Sequence, residues 1–245
     1  MKRKISKIIF YHYFKFIGRI LLFLCAGLYY LYLKINNIDF NIDDNIYLKI
    51  IVIFVIIIFL IEMILRMFPS KTNSIGSQKH LKKVFVSRNR IFIINKHDAV
   101  KTFIAAFLWI IINSGFYALY FLNIVDKGFM IMLALAYSIC DIFCILFYCP
   151  FQMWIFKNRC CVNCRIYNWD YALMFTPLII IPSIYTTPLV VVSILLLIVW
   201  EIAYKVHPER FDEKTNSALK CENCQEKLCN YKLKIKEIIA KYTKK

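Results

Sequence analysis

The stretches RCCVNCR, residues 159–165, and CENCQEKLC, residues 221–229, contain six cysteines, three on each side of one apolar segment. That segment, residues 171–204, is long enough to enter a bilayer and return. Its two ends then lie on the same side of the membrane, so the two cysteine stretches can meet. The arrangement predicts a shared thiol site that clasps a helical hairpin.

The composition is that of a membrane protein. Of 245 residues, 60% are apolar and 17% aromatic, and the mean hydropathy is +0.59. The apolar share exceeds the range of about 45–50% that soluble domains show. Only 5 glycines and 6 prolines interrupt the chain, which favours long helices.

The apolar runs predict an all-α membrane protein with about six transmembrane helices. Residues 171–204 would supply the last two, divided near residues 185–188. Each would have about 16 residues, or roughly 24 Å, so this hairpin either thins the bilayer or stops short of the far side. The other four spans are expected near residues 17–33, 47–68, 102–125 and 129–149.

The chain divides into three regions by composition. The first four spans form one helical region with a basic loop, and the cysteine stretches with their hairpin form the second. A basic tail is the third. Within the basic loop, residues 83–93 predict either a short β-hairpin that turns at Arg88-Asn89 or an interfacial helix. The boundaries are residues 1–149 with the loop 69–101, residues 150–230 with the hairpin 171–204, and residues 231–245.

The distribution of basic residues predicts the orientation. If the amino terminus is cytoplasmic, only Lys34, Lys49 and Lys127 of the 32 lysines and arginines fall on the outer side, which leaves 29 inside. A bias of this size in short loops follows the positive-inside rule. Both termini and both cysteine stretches are therefore expected in the cytoplasm, and the localisation expected is a bacterial plasma membrane.

Cytoplasmic thiols stay reduced, so the six cysteines predict a metal site and not disulfides. Two C-x2-C pairs are the spacing of a four-cysteine zinc site. The same thiols suffice for an iron–sulfur cluster, so zinc and iron–sulfur both remain open. Nearby arginines and lysines, Arg165 among them, would offset the thiolate charge. The candidate ligands are Cys161, Cys164, Cys221 and Cys224, with Cys160 and Cys229 as further candidates.

The carboxy-terminal half resembles a family of small bacterial integral membrane proteins. The resemblance covers roughly residues 149–229 and implies no activity. The motifs that carry it are Cys149-Pro150, Arg159-Cys160-Cys161, Cys164-Arg165, Asn168-Trp169-Asp170, Pro177-Leu178, Trp200-Glu201, the string HPERF at residues 207–211, and Cys221-x2-Cys224-x4-Cys229.

Polar residues inside apolar spans give a second set of candidates. Asp141 lies within the fourth span, on one helical face with Tyr137, Cys144 and Tyr148. Asn113 of the third span is expected to meet this face. An intramembrane carboxylate either ties helices together or forms part of a proton, cation or quinone pathway.

Other charged residues near the membrane surface have simpler predicted roles. Glu62 and Arg66 are one helical turn apart and predict an ion pair at the inner surface. Arg19 is expected to extend toward the cytoplasm. Glu201, at the end of the last span, is expected with Asp170 and Trp169 to orient the cysteine loops. Two further residues there, His207 and Glu209, are expected to assist.

The sequence therefore predicts a metal-stabilised membrane scaffold or partner-binding subunit. One alternative is a membrane redox protein with an iron–sulfur centre that acts on a quinone or another lipid-soluble substrate. A second alternative is a small transporter that uses the Asp141 face. The expected partners are the lipid bilayer and other membrane subunits. No nucleic acid is expected, because the basic residues flank the apolar spans, and no known catalytic motif decides whether the protein is an enzyme.

Overall fold

The computed structural model describes residues 7–38, 45–68, 79–87, 96–157 and 160–220. Within these ranges the protein is helical and contains no β-strand, which confirms the predicted all-α class. The long helices are α1 (Lys7–Ile35), α2 (Ile46–Met67), α3 (Lys96–Phe121), α4 (Lys127–Leu146) and α6 (Thr186–Val206), and a short helix, α5, spans Asp170–Phe175.

Each of the five long helices has an apolar stretch of 20 to 27 residues that is long enough to span a membrane. At 1.5 Å per residue these stretches are about 30–40 Å long, which matches a hydrocarbon core of ~30 Å. Many of their large apolar side chains point outward, including Phe54 on α2 and Phe103 on α3. This is the architecture of a multi-pass membrane protein.

Asp126 joins α1 to α4 at the end opposite the cysteine loops. Its Oδ1 accepts hydrogen bonds from the Phe129 amide and from the Tyr30 hydroxyl, both at 2.9 Å. Its Oδ2 lies 2.7 Å from Lys34 Nζ. Gly128 permits this contact, because a Cβ there would lie 2.5 Å from the Tyr30 ring. Asp126, as the N-cap residue of α4, therefore fixes both the start of this helix and its packing on α1.

The fifth predicted span is not a continuous helix, and the prediction of six spanning helices is not met. Its first turns form α5, a 3₁₀ helix follows over Thr176–Ile180, and the chain then loses helical structure before α6. Pro177 and Pro182 explain the break, since neither has an amide hydrogen to donate. Ile181, directly before Pro182, has φ −119° and ψ 61°, outside the helical region that a following proline disfavours.

The first part of this broken segment, residues 171–178, is enclosed by other helices. Tyr171, Met174, Phe175 and Leu178 are buried and pack with residues of the other helices. Non-helical backbone at membrane depth is tolerated where protein surrounds it and supplies hydrogen bonds.

Polar side chains of the surrounding helices supply such bonds. The Tyr117 hydroxyl of α3 donates to the Thr176 carbonyl at 2.5 Å. The Thr186 hydroxyl at the start of α6 donates to the Ile181 carbonyl at 2.7 Å. The buried part of the segment therefore belongs to the bundle's interior, whereas residues 182–184 are exposed.

Three loop segments, residues 79–87, 160–169 and 207–220, pack together at the opposite end of the bundle from Asp126, and we call them the loop cap. Asn216 is fully buried and its Nδ2 donates to the carbonyls of Lys79, at 3.0 Å, and Arg210, at 2.8 Å. Ser217 N donates to the Val86 carbonyl at 3.1 Å.

The loop cap also tests part of the β-hairpin predicted for residues 83–93. Ser87 forms an isolated bridge with Asn216 and not with a neighbouring strand. The described part of residues 83–93 is thus a set of turns that pairs with residues 216–217. The proposed Arg88-Asn89 turn lies outside the described residues.

Candidate metal centre and buried charge cluster

The described segments on either side of the predicted hairpin, residues 160–169 and 207–220, pack together in the loop cap, and we call them the two feet of the hairpin. Cys160 and Val162 of the first cysteine stretch form one apolar cluster with Leu219, which is 2% exposed. Leu219 precedes Cys221 by two residues, and two residues of chain span at most about 7 Å. The first cysteine loop therefore packs against Leu219, the residue two positions before Cys221 in the sequence.

Side-chain contacts orient the first cysteine loop on the last helix. Arg165 forms an ion pair with Glu201 of α6, and its guanidinium lies 3.7 Å from the centroid of the Tyr204 ring. Trp169 Nε1 donates to the second Glu201 oxygen at 2.6 Å. The expected role of Glu201 and Trp169 is thus confirmed. Arg165 is paired with Glu201, and its contribution to offsetting thiolate charge stays a prediction.

The other charged residues expected to orient the loops pair elsewhere in the described structure: Asp170 pairs with Arg66 of α2, and His207 and Glu209 pair with each other. His207 Nδ1 lies 3.2 Å from Glu209 Oε1, and the pair is well exposed. Asn163, within the cysteine loop, instead bonds Glu213 at 2.8 Å. Glu213 belongs to the loop that leads to Cys221, so this bond is a second link between the two feet.

The thiols of the first stretch occupy two environments. Cys160 belongs to the Leu219 cluster, whereas Cys164 packs with Ala105 of α3, Phe156 and Ile166. Both are buried. Of the two, Cys160 is the one that shares a cluster with the second foot.

The described part of the chain contains no group of three His, Cys, Asp or Glu side chains that could hold a metal ion. Cys221, Cys224 and Cys229 lie outside the described residues, as does the side chain of Cys161. The ligand set therefore remains a prediction.

His80 is a buried member of the loop cap that the sequence did not single out. Its ring stacks on Phe211 with centroids 4.5 Å apart, and its Nδ1 lies 3.2 Å from Asn168 Nδ2. Burial, followed by the positive charge of Lys79, lowers the pKa of His80 to about 3. His80 is therefore neutral at physiological pH and serves as a packing and hydrogen-bonding residue beneath the cysteine loop. A lone histidine in a basic loop gives no sequence signal of this role.

A second site lies within the bundle, where four elements bring ionised side chains together. Lys15 Nζ lies 2.5 Å from Glu62 Oε2, and Arg19 Nη2 lies 3.2 Å from the same oxygen. Three cations and three carboxylates balance each other in what we call the charge cluster. Its members are Lys15 and Arg19 of α1, Glu62 and Arg66 of α2, Asp141 of α4 and Asp170 of α5.

Two predictions for these residues are wrong. Arg19 does not extend toward water: it is 5% exposed, and its Nη1 donates to the Ser138 carbonyl at 2.6 Å. In the described structure Glu62 and Arg66 pair with partners on other elements and not with each other. Glu62 accepts from α1 and from the Tyr171 hydroxyl at 2.8 Å, and Arg66 pairs with Asp170. These ion pairs form because the helices pack closely. The spacing of residues along one helix does not show which residues of other helices lie nearby.

The predicted polar face of α4 divides between two partners. Tyr137 lies 3.5 Å from Asn113 Oδ1 of α3, so Asn113 meets this face as expected. Asp141 lies one turn further along and pairs with Arg19 Nη1 at 3.4 Å. Asn113 also donates to the Trp109 carbonyl at 2.9 Å. Asp141 is five residues from the end of α4, about 8 Å by helical rise, and lies on the loop-cap side of the bundle.

Comparison with known proteins gives no matching family model, no similar curated protein and no similar solved structure. The geometry of these two sites is therefore the basis for the function.

Proposed function

We propose that the protein is a metal-stabilised scaffold or partner-binding subunit of a bacterial plasma membrane, with both termini and the loop cap in the cytoplasm. A thiolate site between the two cysteine stretches would hold the metal, and zinc is the ion that the C-x2-C spacing favours. The observation that carries the proposal is the packing of Cys160 and Val162 against Leu219, next to Cys221.

The metal would act on the structure of the cap. Cys160, Cys161 and Cys164 would supply thiolates from one loop, and Cys221, Cys224 and Cys229 from the other. Because one ion would bind both loops, its binding free energy would become folding free energy for the cap. The cap would then present a fixed surface at the inner membrane face, while the apolar outer faces of α1–α4 contact lipid or other membrane subunits.

Elemental analysis of anaerobically purified protein tests this proposal. Zinc in stoichiometric amount in colourless protein is expected. A brown protein that contains iron and sulfide would instead favour the redox alternative, in which the same thiols hold an iron–sulfur cluster. Protein with neither metal would contradict both. The matched control is Cys25→Ser with Cys140→Ser, since these two cysteines are exposed on the outer faces of α1 and α4 and should not affect the metal content.

A transporter function remains the second candidate, and the charge cluster favours it. Intramembrane ionised residues commonly mark proton or ion pathways. Asp141→Asn tests it in proteoliposomes with a pH-sensitive dye, because the amide keeps hydrogen-bonding capacity but cannot carry a proton. Proton flux that the wild type supports and the variant lacks, with the fold retained, would favour transport. No flux in either protein would leave Asp141 as a tie between helices.

A further inference from the structure

A small cavity lies against the charge cluster, between α1, α2 and α4. Its volume is about 40 Å³. The walls combine apolar side chains of α2 and α4 with most of the ionised residues of the cluster. The lining residues are Tyr11, His12, Lys15, Glu62, Leu65, Arg66, Asp141, Ile142, Ile145 and Tyr171.

His12 is a lining residue whose two ring nitrogens have no hydrogen-bond partner among the described residues. The residue is only 3% exposed. Arg66 Nη1 is likewise buried without a partner there, although its other terminal nitrogen binds Asp170. A buried polar atom without a hydrogen bond costs about 1–3 kcal/mol. Three such atoms beside one cavity indicate that a ligand fills it.

The chemistry of His12 limits what that ligand can be. A neutral imidazole has one N–H donor and one nitrogen acceptor. A metal cation would satisfy only the acceptor, and a halide only the donor. Water satisfies both, and it can also accept from Arg66 Nη1.

The size of the cavity also favours water as the ligand. A cavity needs at least roughly 10–15 Å³ to hold one water molecule, so a volume of about 40 Å³ holds up to about three. It is too small for a lipid headgroup or a quinone ring. The ionised neighbours also favour water, because partial hydration reduces the cost of removing charges from bulk solvent.

We propose that His12 and Arg66 anchor a cluster of one to three water molecules at the edge of the charge cluster. Tyr11, a lining residue that is 37% exposed, forms the outer wall. The water would hydrate Glu62 and Asp141, the two carboxylates that line the cavity. This site is separate from the proposed metal site and does not depend on it.

X-ray hydroxyl-radical labelling of the intact protein in nanodiscs, read by mass spectrometry, tests the proposal. Radicals form from water, so a buried side chain beside bound water is modified while a dry one is not. After correction for intrinsic reactivity, His12 and Tyr171, which line the cavity, should be modified faster than Met63, which is 0% exposed and does not line it. Equal protection of all three would overturn the proposal.

Two variants identify His12 as the anchor. His12→Phe fills the cavity and has no hydrogen-bonding atom, so modification of Tyr171 should fall to the level of Met63. Unchanged modification of Tyr171 in folded His12→Phe protein would contradict the assignment of His12. Should His12→Phe not fold, His12→Gln decides the question, since it keeps a donor and an acceptor and should retain the modification of Tyr171. Loss of that modification in His12→Gln would also count against the proposal.

Discussion

Arg66 Nη2 of α2 lies 2.5 Å from Asp170 Oδ2 at the start of α5, and each side chain is 8% exposed. The Arg66 guanidinium also lies 4.8 Å from the centroid of the Tyr171 ring. This ion pair attaches the broken segment to α2 at the point where the chain enters the bundle.

Asp170→Asn should destabilise the protein strongly, because it leaves the Arg66 charge buried without a counter-ion. Breaking a buried pair in this way costs about 3–5 kcal/mol. Unfolding in mixed detergent should show this loss. Glu209→Gln, in the exposed His207 pair, is the matched control and should change stability by less than about 0.5 kcal/mol. The double variant Arg66→Met, Asp170→Leu should recover much of the loss, and an Asp170→Asn protein as stable as wild type would show that the pair is not structural.

Glu201→Ala should loosen the first cysteine loop without unfolding the helices. The change removes the partner of both Arg165 and Trp169. Hydrogen bonds to a charged group at this partly exposed position are worth about 1–2 kcal/mol. Amide hydrogen exchange over residues 160–169 should accelerate accordingly, while exchange in α2 stays unchanged. Acceleration spread equally over both regions would mean that Glu201 supports the whole fold and not this loop.

The stability of the loop cap should decrease in acid because of His80. The pKa of His80 is about 3 in the folded protein, where burial and then Lys79 lower it, and 6.5 is its ordinary value. The unfolded cap therefore binds more protons between these values, so stability present above pH 6.5 is lost as the pH falls toward 3. The slope should approach about 1.4 kcal/mol per pH unit. Hydrogen exchange at residues 79–87 should show this slope in wild type and a smaller one in His80→Gln, and equal slopes would exclude His80 as the cause.

Ile184 offers a test of how the broken segment crosses the bilayer. It is 81% exposed and lies just before α6. If the cysteine stretches are cytoplasmic and residues 170–185 cross, Ile184→Cys should react with a membrane-impermeant thiol reagent from outside. A reporter fused after residue 160 should be cytoplasmic in the same cells. Labelling of Ile184→Cys only after permeabilisation would show that the segment does not reach the outer face.

Much of the bundle could be predicted from the sequence because long apolar helices depend on local composition. The runs that became α1, α2, α3, α4 and α6 are each longer than a bilayer requires and contain few breaks. The fifth span could not be read in the same way. Pro177 and Pro182 indicated a kink, whereas the structure has α5, a 3₁₀ helix and then a non-helical stretch. Tyr117 and Thr186 bond two carbonyls of this segment, and Tyr117, which lies far away in sequence, could not be identified as a partner from local composition.

Of the two candidate sites, the sequence predicted the cysteine site but not the charge cluster. The predicted hairpin implied that the two cysteine stretches meet, and the described residues show the packing of Leu219 against Cys160 and Val162. The meeting of the cysteines themselves stays a prediction, because the second stretch lies outside the described residues. The charge cluster was missed because its pairs join α1 to α2 and α4. Sequence reasoning instead paired Glu62 with Arg66, its neighbour along α2. His12 and His80 carry no motif, and only their burial makes them candidates.

The metal content of the double variant Cys161→Ser, Cys224→Ser tests most directly whether the two cysteine stretches share one ion. Each change removes one thiolate from a different loop, so a shared site should lose most of its metal. Proteolysis between residues 205 and 220 should then become faster than in the Cys25→Ser, Cys140→Ser control. Full metal content in the Cys161→Ser, Cys224→Ser protein, measured by elemental analysis after anaerobic purification, would contradict a shared site.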